Sequence, residues 1–147
     1  LLDSTDNNIY FTGMQWEVGD EATEFEHRSM GEELSLCHRY FYRYKTEFTN
    51  GSYFTWMSYG STDQRTQNIY FPSSMRSTPS LTYNDTFSHY QNLGLGGAVS
   101  AFYLADSGTN KESTALRVTT ADTITNGYGG ILRGASTDGY FDFSSEL

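Results

Sequence analysis

The 147 residues suffice for one domain with a real core, carry a net charge of −9, and are only 37% hydrophobic. The acidic balance argues against a nucleic-acid or anionic-membrane partner, because both need a basic patch. The 12 Tyr, 10 Phe and 2 Trp, with only 2 Pro, argue against disorder and favour strands built on aromatic rings.

In chain order, Asn8 to Val18 reads as a strand, with Tyr10, Thr12, Met14, Trp16 and Val18 sharing one parity. Asp20 to Arg28 reads as a charged, extended link in which Phe25 can tuck into a groove and Arg28 and Arg39 find partners among Glu24, Glu26, Glu32 and Glu33. Ser29 and Glu32 have capping-box spacing and predict a short helical turn. Arg39 to Lys45 then switches to period two, with Tyr40, Tyr42 and Tyr44 on one face. Asn50-Gly51 is a strong turn signal, and Tyr53 to Tyr59 is a second aromatic strand, so a hairpin joining the two is expected. Further strands are predicted at Asn68 to Phe71, Ser80 to Tyr83, Ala98 to Leu104, Leu116 to Thr120 and Tyr140 to Phe143. Turns are predicted at Gly94 to Gly97, Asp106 to Asn110, Asn126 to Gly130 and Asp138-Gly139. Many short strands at this spacing predict an all-β, antiparallel β-sandwich or jelly-roll-like domain with an extended amino-terminal arm.

The single cysteine, Cys37, excludes an intrachain disulfide and reads as a small buried hydrophobe. No apolar run approaches the roughly 18 residues of a membrane-spanning helix. His27, His38 and His89 share no motif spacing, and no metalloprotease, phosphate-loop or nucleophile-elbow motif occurs. No catalytic residue, metal ligand or cofactor is therefore assigned; calcium at Asp3, Asp6 or Asp106 to Asn110 is a weaker alternative without EF-hand spacing. Paired carboxylates such as Asp20 and Glu21 could serve a glycan hydrolase, but 18 acids make chance pairs inevitable. The sharper binding expectation is carbohydrate, because sugar faces stack on aromatic rings. Trp56, Tyr59, Tyr90 and Tyr128, near turns or strand ends, are the candidate glycan contacts; the alternative is that they fill a core or a subunit interface.

Two stretches, Thr12-Gly-Met-Gln-Trp-Glu-Val-Gly19 running into Ala22-Thr-Glu-Phe-Glu-His-Arg-Ser29, and Gly31-Glu-Glu-Leu-Ser-Leu-Cys-His-Arg-Tyr-Phe-Tyr-Arg43, together resemble a junction found in tailed-bacteriophage virion proteins, especially tail-fibre and appendage proteins. Tyr70-Phe-Pro-Ser-Ser-Met-Arg-Ser-Thr-Pro79 and the Ser145-Glu146-Leu147 ending resemble the same family's carboxy-terminal β-domain. Met14 and Trp16 stand where aliphatic residues are usual, Glu24 where proline is usual, and His38 where glutamine is commoner. The resemblance implies that residues 1–29 are the end of an upstream module and a linker arm, and that residues 30–147 are a carboxy-terminal β-sandwich domain. It implies a non-catalytic virion structural protein, assembled in the host cytoplasm, forming a homotrimer with other virion proteins as neighbours and often touching host-surface glycan. A capsid decoration protein and, more remotely, a glycan-degrading appendage enzyme are the alternatives.

Overall fold

In the computed structural model the chain is described over residues 10–45, 53–61, 64–84, 86–91, 96–105, 108–120, 129–135 and 139–146. Over these residues it is all-β apart from one short helix, as the aromatic and β-branched content dictates. The helix, α1 (Met30–His38), starts where the capping-box spacing places it. The Ser29 hydroxyl accepts from the Glu32 amide, and the Glu32 carboxylate accepts from the Ser29 amide. None of its residues is buried, so the cap and not a core contact defines it. Cys37 lies on it exposed, contrary to the expected burial, because α1 turns no face into the core.

Nine strands follow: β1 (Phe41–Lys45), β2 (Tyr53–Ser61), β3 (Gln64–Tyr70), β4 (Ser80–Asn84), β5 (Phe87–Gln91), β6 (Gly96–Leu104), β7 (Ser113–Thr120), β8 (Gly130–Gly134) and β9 (Tyr140–Ser144). They form a three-stranded sheet, β1-β9-β4, and a closed barrel in the order β2-β3-β7-β6-β5-β8. Every pairing is antiparallel. The small sheet packs against the barrel, giving the sandwich-like two-layer arrangement, with one layer rolled shut. Closure removes the free edges that an open sheet of that length would expose.

Period-two alternation decides which residues join the layers. On β1, Tyr42 and Tyr44 face the core while Phe41, Arg43 and Lys45 share the opposite face, in register with Ser144, Asp142 and Tyr140. On β9, Phe141 and Phe143 are fully buried. Phe141 stacks on Phe87 of β5 at 5.1 Å and meets Phe102 of β6 edge-on at 4.8 Å. Phe143 packs against Phe71, and Tyr42 against both. Ile69, Met75, Leu116, Val118 and Leu132 complete the core. Each such ring or aliphatic side chain contributes about 1.5–3 kcal/mol by leaving water.

Two local expectations are corrected. The hairpin joining the Arg39–Lys45 and Tyr53–Tyr59 stretches does not form: β1 pairs with β9, and β2 pairs with β3 and β8. The Asn50-Gly51 turn lies outside the described residues. Alternation reports which side chains share a face but not which strand lies alongside, and pairing with β9 sets Tyr42 and Tyr44 beside Phe143 and Phe141. The described part of the Asn8–Val18 strand, residues 10–18, is not a strand either. It has the alternation but no ladder partner among the described residues, and Gly13 breaks it at φ +67°.

Candidate functional site

Antiparallel closure brings particular strand ends together. Ser61, Gln64, Gln91, Gly96, Thr120 and Gly130 all lie at the end of the barrel away from the three-stranded sheet, as the registers Gln64↔Thr119, Val99↔Thr120, Tyr90↔Gly96, Gln91↔Gly130 and Met57↔Gly130 require. Three of the four predicted glycan contacts have described backbone positions. Trp56 and Tyr59 lie on β2, with Tyr59 opposite Arg65 at this far end. Tyr90 lies on β5 at the same end. Tyr128 is outside the described residues. In register, Trp56 of β2 and Tyr90 of β5 flank the Gly130–Ile131 end of β8 from its two sides, while Tyr59 lies two residues beyond Met57, further toward the rim.

The Tyr90 ring is held in a definite way. Gly96 is its cross-strand partner, and a Cβ there would sit 2.5 Å from the His89 carbonyl oxygen and 3.0 Å from Tyr90 Cδ1. The ring therefore lies against bare β6 backbone that only glycine provides. Its other neighbour in register is Ile131 of β8. Tyr90 is 37% and Ile131 42% exposed, an apolar cross-strand pair on the outer surface of a closed barrel. Beneath it, His89 is buried on the inner face, beside Leu132. A ring backed by a rigid strand and open on one side suits stacking against a flat apolar face such as a sugar's. The sequence reading placed Gly96 and Gly97 in a turn; they are strand residues, and Gly96 serves close approach to β5 and not a bend.

A second constellation, not anticipated from sequence, lies on the outer face of the three-stranded sheet. Arg43 donates two hydrogen bonds of 2.7 Å to the Asp142 carboxylate, and its guanidinium lies 3.8 Å over the Tyr140 ring. The bidentate contact with Asp142 raises the Arg43 pKa further above its ordinary value. Asp142 is nearly buried, so this pair fixes sheet register and leaves its carboxylate little freedom for chemistry. The only signal in the sequence was the alternation of Arg43 with tyrosines; its partner lies 99 residues away.

The arm is tied to itself and to α1. Glu17 accepts from the Thr23 hydroxyl and amide, Gln15 donates to Glu17 and Thr23, and the Glu26 amide donates to Gln15. These bonds from Thr23 and Gln15 hold the Glu17 carboxyl below its usual range. Arg28 pairs with Glu26 and, at 3.4 Å, with Glu33, as the charge pattern predicts. Phe25 does not tuck into a groove: it is 44% exposed, meets His27 edge-on, and with Met14, Trp16, Arg28 and Glu33 lines a cleft of about 290 Å³.

The three histidines lie apart from one another. His27 is in the arm against Phe25, His38 ends α1 against Tyr42, and His89 is inside the barrel. The Ser100 hydroxyl donates to the Thr119 carbonyl. Among the described residues, no group of three His, Cys, Asp or Glu side chains converges to hold a metal. Asn110, in one stretch considered for calcium, has its side-chain oxygen accepting from the Glu112 and Ser113 amides; Asp3, Asp6 and Asp106 lie outside the described residues. No protein-family model, curated protein or solved structure matches the chain.

Proposed function

We propose that this chain is a non-catalytic structural and binding module of a larger extracellular particle, an appendage piece of a tailed-bacteriophage virion that contacts the host surface. The observation that carries the proposal is the arm: Tyr10, Phe11, Met14, Trp16 and Val18 are 78–102% exposed although five large apolar side chains in one stretch strongly favour burial. Such a stretch belongs against a neighbour in an assembly. The resemblance of Thr12–Ser29 and Gly31–Arg43 to a virion-protein junction supports the same reading. In this account the arm and α1 tie the domain to its surroundings, and the far rim with Tyr90 faces outward and stacks on saccharide.

The test is incubation of the full chain with envelope glycans of candidate hosts, followed by both binding and product analysis. Reversible binding with intact glycan, weakened by Tyr90→Ala, is the expected result. Release of oligosaccharides would replace this reading with a glycan hydrolase. Absence of binding across the glycans would remove the host-contact role.

A further inference from the structure

The arm is also the acidic part of the chain. Between Tyr10 and His27 it carries Glu17, Asp20, Glu21, Glu24 and Glu26 and no lysine or arginine. The opposite charge is concentrated where α1 runs into β1. Arg39 and Arg76 are both exposed there, and the Arg76 amide donates to the Arg39 carbonyl at 2.7 Å. The Arg76 guanidinium lies 5.8 Å over the Tyr40 ring. Tyr40 is 42% exposed, so the same small area offers aromatic surface. In a chain with nine basic residues against 18 acidic ones, two exposed arginines beside an exposed ring form a distinct patch.

We propose that the arm of one copy docks on the Arg39–Tyr40–Arg76 patch of a second copy. Charge complementarity is the first argument: an acidic, apolar arm meets a basic, aromatic patch on a protein whose net charge otherwise keeps copies apart. Area is the second. Three rings at about 150–250 Å² each, with Met14 and Val18, offer roughly 800 Å², the share one partner gives to a standard-size interface. Position is the third. Gln15, Glu17, Thr23 and Glu26 bond to one another and Arg28 pairs with Glu26 and Glu33, so the arm lies folded on itself at the start of α1 and off its own patch, which begins at the other end of that nine-residue helix, about 13 Å away. Each copy carries one arm and one patch, so head-to-tail docking closes into a ring or continues, according to the rotation between copies. The inference rests on the proposed function in that it names the neighbour that covers the same exposed arm; absence of glycan binding would remove the host-contact role alone, and a monomeric chain would remove this inference alone.

The experiment is sedimentation of the full 147-residue chain over a range of concentrations and salt. Self-association that weakens at least tenfold between low and high salt is expected, because exposed charges are screened. Glu21→Arg with Glu24→Arg, and separately Arg39→Glu with Arg76→Glu, should each abolish association. Mixing these two variants should restore it, since the basic arm of one then meets the acidic patch of the other. Trp16→Ser changes the arm without touching the core and should weaken association at least tenfold with an unchanged melting temperature; it decides the question if a patch variant fails to fold. A chain that stays monomeric, an oligomer indifferent to these changes, or folded variants that do not associate when mixed would each overturn the proposal.

Discussion

Phe141→Ala tests how the two layers hold together. Phe141 is fully buried on β9 and touches Phe87 and Phe102, which belong to two different barrel strands, and Tyr83, which belongs to β4. Truncating it removes the apolar transfer contribution and leaves a cavity that strands on both sides are too constrained to fill. Substitutions of this kind cost about 3–5 kcal/mol. Against a total stability of about 5–15 kcal/mol that is a large fraction. At roughly 2–4 °C per kcal/mol for a chain of this size, the melting temperature should fall by about 6–20 °C. Urea denaturation followed by tryptophan fluorescence should show a lower midpoint with an unchanged slope, meaning lost stability without a change in the surface exposed on unfolding. Tyr70→Ala is the control: Tyr70 is 75% exposed on β3 and should cost less than about 1 kcal/mol. Equal losses for the two variants, or less than about 1 kcal/mol for Phe141→Ala, would refute the layered core described above.

Other parts of the structure give separate outcomes. Gly96→Ala places a methyl 2.5 Å from the His89 carbonyl oxygen, a backbone atom that cannot swing aside, so a loss of about 1–3 kcal/mol by thermal denaturation is expected together with displacement of Tyr90. Ser29→Ala removes one half of the capping box, worth about 1 kcal/mol to the helix. Because α1 buries nothing, the effect should appear as faster amide exchange over 30–38 with almost no change in the global melting temperature. Arg43→Met strands the nearly buried Asp142 carboxylate and should destabilise the domain clearly more than Lys111→Met at an exposed position. The Glu17 and Glu32 carboxyls are held below their usual range by hydrogen bonds, Glu17 chiefly from Thr23 and Glu32 from the Ser29 amide. Their contribution to local order is whole above the ordinary glutamate value of about 4.3 and is lost as the pH falls through the lower native values. Amide protection over the arm and α1, taken relative to the intrinsic exchange rate at each pH, should therefore fall on acidification below about pH 4, while the same titration of a Glu17→Gln, Glu32→Gln variant should be flatter.

What could be read from the sequence was local. The Ser29–Glu32 spacing located the start of α1, and the alternation at 41–45 sorted Tyr42 and Tyr44 from Arg43 and Lys45, because both signals depend on neighbours a few residues away. Strands β4, β6, β7 and β9 were found to within a few residues for the same reason. Pairing was not readable. Asn50-Gly51 suggested a hairpin, but β1 lies beside a strand almost a hundred residues later, where aromatic burial outweighs a short connection. Strand β5 was missed because Phe87, His89 and Leu132 make an inner face only once the barrel closes. β8 was missed because its first residue, Gly130, read as the end of a turn. The same ambiguity hid the support that Gly96 gives Tyr90. Of the proposed glycan contacts, Tyr90 was singled out from a neighbouring turn signal although β5 itself was missed; its position level with Trp56 across β8 required the topology.

The most direct test of the central claim is electron microscopy of intact particles labelled with gold-bearing antibody against residues 30–147. The account predicts label at the tips of tails or fibres, where a host-contacting module must sit. Label spread over the head would contradict it and make the chain a capsid decoration protein, clamped to the shell by the same arm.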